Sequence, residues 1–302
     1  MNGDDLLRAA AITHISALTN RHGPLSWAQI EEGFEFRGQR VHLASKAIGI
    51  FKPAQLRSGA LSIRTAVPRK GRIPRYDDRF NEGAEHFSYR FQKEGPEASD
   101  NQLARECMLH RWPVIYFFGI APAVYDALIC QIVSEDRSAE TFHVAPISEA
   151  MVAESSVLRS AARLPIERRY AMVSAKKRLH QDRFRFAVLE AYDSRCAICR
   201  LRHPELLDAA HIVEDGDVLG EARVPNGLAL CKLHHAAFDR NFIGITPDLE
   251  IRLRPELLIE KDGPMLEHGL RAFNRTRLTV PDHAADRPDR MLLEQRWKEF
   301  AA

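Results

Sequence analysis

The chain has 302 residues, of which 45% are hydrophobic and 28% are charged, as in an ordinary soluble globular protein. Its length favours two domains, and a formal net charge of +2 by itself indicates no class of partner. The longest apolar run, 114–120, is too short to cross a membrane, and the N-terminus lacks the basic start and apolar core of a signal peptide. We therefore expect a cytoplasmic protein with no membrane partner.

The first half of the chain predicts a domain of many short strands and few helices. Apolar residues at helical spacing predict a helix over 5–19, and Ser26 followed by Gln29 predicts a short helix with a capping box. A further helix is expected over 101–111. Alternating patterns predict strands near 34–36, 41–43, 49–53, 61–65, 86–91, 114–118, 125–133 and 141–144. We expect a β-rich, barrel-like domain over 1–148.

Two segments concentrate positive charge, which is the footprint expected of a nucleic-acid-binding protein. One is a loop over 67–78, and the other is a helix over 163–192, with a break near Ser174 as one alternative. We assign 149–192 to a basic helical linker. The residues predicted to contact DNA are Arg69, Lys70, Arg72, Arg75, Lys176, Lys177 and Arg178. The alternative is that these side chains only form solvated faces.

The stretch 195–239 carries most of the chemistry. Cys196 and Cys199 form one pair with a two-residue gap, and Cys231 and His234 form a second pair of the same spacing. Two such pairs supply the four ligands of a structural, tetrahedral zinc site. Unrelated residues or a redox pair are the alternatives, but a redox pair does not need the second pair.

Between and after these pairs, the pattern reads as strand, loop, strand and helix. His235 and Asp239 lie four residues apart on the predicted helix, so they share a face and can hold one divalent cation such as Mg²⁺. His211 ends the first strand and is expected to project toward the same place, where its imidazole can take a proton from water. Asn226 opens the second strand and is expected to hydrogen-bond across the loop. The alternative makes both histidines structural or surface residues.

The segments CAIC, AHI, NGLALC and KLHHAAFD resemble the HNH (ββα-metal) endonuclease family in its zinc-stabilised form. The resemblance implies a one-metal DNA nuclease domain over 193–302, with His211 as general base and with Asn226 and His235 in the catalytic set. Ala210 stands where many members of the family carry a further metal ligand. Asp208 is the nearest carboxylate, but on a regular strand it faces away from the side of His211, so the first-strand ligand stays open.

The run RLHQDRFRFAVLEAYDSRCAIC resembles the lead-in of bacterial HNH restriction-type proteins, whose first domain is often similar to SRA/PUA-like readers of modified DNA. This resemblance implies that the N-terminal domain flips a base into a pocket. The candidate pocket residues are Tyr76, Asp77, Tyr89 and Phe91. The alternative is that alternating aromatic residues on a strand belong to the core.

The sequence therefore predicts an α+β protein that cuts double-stranded DNA. We interpret it as a modification-dependent (type IV-like) restriction enzyme that reads 5-methylcytosine or a related base. Two alternatives stay open: a non-catalytic zinc protein that binds DNA, and an HNH nuclease without modification dependence. A homodimer is one arrangement in which two nuclease modules meet at a double-strand break.

Overall fold

The computed structural model describes residues 3–65, 67, 86–92, 95, 97–147, 164–214, 217, 220–261 and 263–301. The predicted DNA contacts Arg69, Lys70, Arg72 and Arg75 and the pocket candidates Tyr76 and Asp77 lie outside these ranges. The chain forms two compact units, Met1–Leu179 and His180–Ala302. Within the described ranges, no helix combines the length and the apolar content that crossing a membrane requires.

The first unit is an α+β domain built on one sheet. Its helices are α1 (Gly3–His22), α2 (Trp27–Glu32) and α3 (Ser99–His110). Its strands are β1 (Leu25–Ser26), β2 (Phe34–Phe36), β3 (Gln39–Val41), β4 (Ile50–Phe51), β5 (Ser62–Thr65), β6 (Phe87–Arg90), β7 (Pro113–Ala121), β8 (Val124–Asp136) and β9 (Thr141–Pro146). The predicted helices and strands of this region are all present, with ends shifted by a few residues.

Helix α2 begins as the sequence predicts, with a capping box. The Ser26 side chain accepts a hydrogen bond from the backbone N–H of Gln29, and the Gln29 side chain accepts one from the backbone N–H of Ser26. These two bonds satisfy donors that have no partner within the helix.

Seven strands form the sheet, in the order β4-β5-β7-β8-β9-β6, and β1 also pairs with β8. Among the pairings that the described residues of this sheet form, β5–β7 alone is parallel. Side chains of β7 alternate between two apolar clusters, with Tyr116 in the cluster that contains α3 and Phe117 in the cluster that contains α1. Because both faces of β7 are buried, this strand reads as a continuous apolar run rather than as an alternating one.

Helix α4 (Leu164–Ala191) runs without a break through Ser174, so the alternative of a helix interrupted there is wrong. Met172, Ala175 and Leu179 recur at helical spacing and pack into the core of the first unit. Ser174 is exposed and lies outside that core. The boundary between the two compact units falls inside α4, after Leu179. Its second half contributes to the core of the second unit.

The second unit is organised around a β-hairpin and the helix that follows it. Its strands are β10 (Leu207–His211), β11 (Gly227–Cys231), β12 (Ile243–Ile245) and β13 (Ile251–Leu253). Its helices after α4 are α5 (Lys232–Asp239), α6 (Pro255–Ile259), α7 (Pro264–Gly269) and α8 (Arg290–Ala301). The predicted order of strand, loop, strand and helix is therefore confirmed.

Candidate functional site

The hairpin β10–β11 carries candidate functional groups at both of its ends. Leu207 pairs with Cys231 at one end, and His211 pairs with Gly227 at the other, in a register without a bulge. Helix α5 begins directly after Cys231 and carries His234, His235 and Asp239. The hairpin and α5 therefore carry the predicted base, His211, together with two of the four predicted zinc ligands, Cys231 and His234.

Four side chains meet at the Cys231 end, and we call Cys196, Cys199, Cys231 and His234 the four-ligand cluster. Their ligand atoms all lie within 4.8 Å of one another. The Nδ1 atom of His234 is 3.4 Å from Sγ of Cys196 and 3.2 Å from Sγ of Cys231, and the Sγ atoms of Cys199 and Cys231 are 3.9 Å apart. Ligands of a tetrahedral zinc ion are separated by about 3.5 to 3.8 Å. The cluster therefore fits zinc.

Contacts outside the ligand atoms hold this cluster in place. The Nε2 atom of His234 lies 2.8 Å from the Gly269 carbonyl oxygen, to which it can donate its proton. Such a bond leaves Nδ1 as the metal-binding nitrogen. The backbone N–H of Ala197 donates to the Ala229 carbonyl at 2.7 Å and thereby ties the first cysteine turn to β11. These two contacts tie His234 and the first cysteine turn to neighbouring parts of the second unit.

A second group of polar side chains lies beside α5, and we call Asp208, His235 and Asp239 the Asp208 cluster. The two ring nitrogens of His235 face different carboxylates: Nδ1 is 3.5 Å from Oδ2 of Asp208, and Nε2 is 3.3 Å from Oδ2 of Asp239. Lys232 forms an ion pair with Asp208 Oδ2, and Nε of Arg185 lies 3.4 Å from its Oδ1. Three groups that can carry positive charge therefore surround one half-buried carboxylate.

These contacts shift the protonation of both partners. Burial raises the pKa of Asp208, but the hydrogen bonds with His235 and Lys232 outweigh it and hold the pKa well below its usual range. The hydrogen bond with Asp208 raises the pKa of His235, while burial opposes the shift. Each partner therefore favours the charged form of the other, and Asp208 is ionised at neutral pH.

The other end of the hairpin holds His211 against a phenylalanine. The rings of His211 and Phe184 are stacked, with centroids 4.0 Å apart and planes 16° apart. Because the β10 register is regular, His211 and Asp208 project from opposite faces of the strand. The sequence did not single out Phe184. The feature of the sequence that could have identified Phe184 is its spacing of four residues from Val188, which places both apolar side chains on one face of the helix before the first cysteine pair.

Gly227 explains why α4 can lie so close to the hairpin at this point. A Cβ atom at Gly227 would lie 2.3 Å from Cγ2 of Val188 and 3.0 Å from Cζ of Phe184. The Tyr192 hydroxyl also donates to the Gly227 carbonyl at 3.3 Å. The absence of a side chain at Gly227 therefore lets α4 support the strand position opposite His211.

Asn226 has a positioning role in the loop after β10. Its side chain is 0% exposed, its Oδ1 accepts from the Val213 N–H at 3.0 Å, and its Nδ2 donates to the carbonyls of Val213 and Glu221, each at 3.0 Å. The prediction of a hydrogen bond across the loop is confirmed. The expectation that Asn226 belongs to the catalytic groups is not supported by this geometry, because both polar atoms of its amide hydrogen-bond to backbone groups.

Arg178 was predicted to contact DNA. Its Nε donates to Oδ2 of Asp126 at 2.8 Å, and that carboxylate is 2% exposed, while the Arg178 side chain is 50% exposed, so its contact with DNA stays a prediction. Tyr89 and Phe91 were predicted to line an open base pocket, but they are 1% and 4% exposed and pack against Tyr116 and Phe142. Alternation on β6 therefore reflects the core. Lys177 is exposed and Lys176 half-buried on α4, and their contact with DNA stays a prediction.

Comparison with known proteins agrees with this geometry over the second unit. Residues 196–246 match the family model of the HNH endonuclease. No curated protein matches the chain. Among solved structures, a modification-dependent TagI restriction endonuclease is similar over 80% of this chain and 82% of that chain, with 16% sequence identity and a TM-score of 0.31. The match at 196–246 covers the four-ligand cluster, the hairpin and α5.

Proposed function

Because residues 196–246 carry an HNH endonuclease domain, we propose that the protein hydrolyses phosphodiester bonds of double-stranded DNA by a one-metal mechanism. The observation that carries this proposal is the single hairpin and helix, β10–β11 and α5, which carry His211, the His235–Asp239 pair and two members of the four-ligand cluster, Cys231 and His234. Each of these groups has a distinct chemical use, and Cys196 and Cys199 complete the four-ligand cluster from the segment before the hairpin.

The residues have separate roles in this proposal. The four-ligand cluster would hold structural zinc, and Nε2 of His235 together with Asp239 would hold Mg²⁺ or another divalent cation. When bound, that cation stabilises negative charge on the phosphate and on the leaving oxygen. His211 takes a proton from the attacking water, and stacking on Phe184 fixes the plane of its ring. Asn226 holds the loop that follows His211.

We propose further that the first unit selects modified DNA, so that the protein acts as a modification-dependent, type IV-like restriction enzyme. The support is the resemblance of the run before Cys196 to restriction-type proteins and the concentration of cations in the segment 67–78. Tyr76 and Asp77 remain the candidates for a base pocket, because Tyr89 and Phe91 are core residues. The exposed Lys177 would contact DNA phosphates.

Matched DNA substrates test both parts of the proposal. Duplexes of one sequence, with either 5-methylcytosine or cytosine, are incubated with Mg²⁺ or Mn²⁺ and with wild type, His211→Ala or the control His203→Ala, which changes an exposed histidine of the same unit. We expect wild type and control to cut only the modified duplex. We expect His211→Ala to cut it about 10²- to 10⁴-fold more slowly. Equal rates for His211→Ala and wild type contradict the assignment of the base, and equal cutting of both duplexes contradicts modification dependence.

A second candidate function is a zinc-containing module that binds DNA without cutting it. The observation that favours it is Ala210, a fully buried residue at the position where many HNH nucleases carry a metal ligand. This candidate predicts shifted bands in a gel with no nicking in Mg²⁺ or Mn²⁺. The same digestion therefore separates the two candidates.

A further inference from the structure

Asp208 lies at the centre of a cluster of charged side chains in the second unit. It lies on β10, three residues before His211, and its carboxylate contacts Arg185 from α4 and both Lys232 and His235 from α5. Both of its oxygens are therefore engaged, Oδ1 by the guanidinium and Oδ2 by the ammonium and the imidazole. Its side chain is 26% exposed, so the cluster is only partly shielded from water.

These contacts argue against Asp208 as a direct ligand of a divalent cation. A ligand carboxylate must offer a free lone pair to the metal, and here the nearby ammonium and guanidinium would also repel a second cation. In addition, Asp208 faces Nδ1 of His235, whereas Asp239 faces Nε2. A cation held jointly by His235 and Asp239 would therefore lie on the side of the ring away from Asp208.

A histidine can bind a metal through one nitrogen while its other nitrogen donates a proton, and a carboxylate at the second nitrogen fixes both the tautomer and the ring orientation. The arrangement around His235 has this form. We propose that Asp208 is a positioning residue that holds the proton of His235 on Nδ1, so that the Nε2 lone pair is directed at a divalent cation beside Asp239. This inference rests on the proposed function, because it concerns the same cation.

Arg185 and Lys232 hold the Asp208 carboxylate in place. Arg185 also donates to the carbonyls of Pro204 and Leu207, each at 2.9 Å, and so fixes the start of β10 against α4. Held between these two cations, the carboxylate keeps one orientation toward His235.

A double-mutant cycle on cation binding tests the assignment. Full-length, zinc-loaded protein is titrated with Mn²⁺, and free Mn²⁺ is measured by electron paramagnetic resonance, which does not depend on DNA cleavage. The variants are Asp208→Asn, His235→Ala and the double variant. Glu205→Gln is the control, because it removes one negative charge from an exposed position three residues away. Zinc content and melting temperature establish that each variant folds. If Asp208→Asn fails that criterion, Asp208→Glu takes its place in the cycle.

A positioning role predicts that Asp208→Asn weakens Mn²⁺ binding by about 10- to 100-fold when His235 is present. It predicts little further loss, within about twofold, when His235 is already alanine, because the two changes then act on one interaction. Glu205→Gln is expected to bind Mn²⁺ like wild type. An equal loss in both backgrounds, which a direct ligand or a simple charge effect would give, overturns the proposal.

The failure of this inference can be told apart from the failure of the proposed function. If wild type binds Mn²⁺ and cuts DNA but the cycle shows equal losses, only the role of Asp208 is wrong. If zinc-loaded wild type binds no Mn²⁺ and cuts no DNA, the one-metal nuclease itself is wrong, and the role of Asp208 falls with it.

Discussion

The four-ligand cluster and the Asp208 cluster each include a histidine of α5, yet they differ in donor atoms, enclosure and charge. The first offers three sulfur atoms and one nitrogen, mostly buried, at separations that fit a tetrahedral ion. The second offers carboxylate oxygens and an imidazole, and its members range from 25% to 55% exposed. His234 belongs to the first cluster and His235 to the second, although the two are adjacent in sequence.

This is the difference expected between a structural metal site and a catalytic metal site. A structural zinc site has all four positions filled by protein, whereas a catalytic site keeps positions open for water or substrate. Successive residues on a helix point about 100° apart, so one turn of α5 can serve both purposes. The two sites should therefore respond differently to substitution.

Breaking the four-ligand cluster should have the largest effect. Structural zinc contributes about 10 to 16 kcal/mol of apparent binding free energy, which is as large as the stability of a typical domain. We expect Cys231→Ser or strong chelation to abolish the cooperative unfolding of the second unit, together with zinc content and cleavage. Calorimetry and metal analysis measure this. Cys130→Ala, a buried thiol in the first unit, is the control and should retain zinc. A Cys231→Ser protein that melts like wild type would contradict a structural role for the metal.

Breaking the Asp208 cluster should instead affect chemistry and leave the fold intact. His235→Ala removes one predicted ligand of the cation, and a loss of about 3 kcal/mol of transition-state stabilisation slows cleavage by about 100-fold. Zinc content should be unchanged. The free energy of unfolding should change by less than about 1 kcal/mol, because the ion pairs of His235 are partly exposed. Single-turnover cleavage and thermal melting measure the two quantities.

His268→Ala, which changes an exposed histidine on α7, is the matched control and should cut at the wild-type rate. If His235→Ala loses zinc or stability instead of activity, the two clusters are not functionally distinct. In that case the division of labour between His234 and His235 is wrong.

The sequence identified these two clusters unequally, for a physical reason. Cys196, Cys199, Cys231 and His234 could be recognised from spacing, because a two-residue gap directs both side chains to one point whatever surrounds them. The roles of Asp208 and Phe184 could not, since each depends on which segment packs against β10. That packing brings together residues more than twenty positions apart, such as Phe184 and His211.

The same limit applies to charged and aromatic residues of the first unit. A run of cations does not indicate which member pairs with a buried acid, and Arg178 proved to be that member. The alternation that places Phe87, Tyr89 and Phe91 on one face is the same for a core strand and for a pocket wall. Only the opposing Tyr116 and Phe142 decide that these side chains are enclosed.

A substitution at the end of the hairpin far from the four-ligand cluster should change stability and cleavage without changing zinc content. Gly227→Ala would place a Cβ atom 2.3 Å from Val188, and such overpacking costs about 1 to 3 kcal/mol. Because Gly227 pairs with His211, whereas Cys231 pairs with Leu207, we expect lower stability and slower cleavage with unchanged zinc content. Thermal melting, cleavage rates and metal analysis measure these effects. Gly3→Ala, where a Cβ atom meets nothing within 4 Å, is the control. A Gly227→Ala protein of wild-type stability would contradict the close packing of α4.

Arg178 and Lys177 are adjacent on α4 but differ in their partners, because Arg178 pairs with the buried Asp126 whereas Lys177 is exposed. Burial raises the pKa of Asp126, and Arg178 opposes that shift. Arg178→Ala should therefore raise this pKa further and destabilise the first unit by about 1 to 3 kcal/mol, less than for a fully buried pair because Arg178 is 50% exposed. A carboxyl whose pKa is raised in the folded state loses stability as the pH rises through that pKa. The loss should therefore be larger at pH 8 than at pH 5, as measured by thermal melting.

Lys177→Ala should give the opposite result, with the smallest change in stability and the clearer change in DNA binding. An exposed substitution away from special contacts alters the free energy of unfolding by less than about 0.5 kcal/mol. Loss of one phosphate contact should weaken binding similarly for all sequences and reduce the salt dependence of log K by about 1. Binding measured by fluorescence anisotropy at several salt concentrations gives this slope. If Arg178→Ala reduces the slope while Lys177→Ala leaves it unchanged, then Arg178 contacts DNA in spite of its ion pair, and enclosure does not decide which cations of α4 bind the backbone.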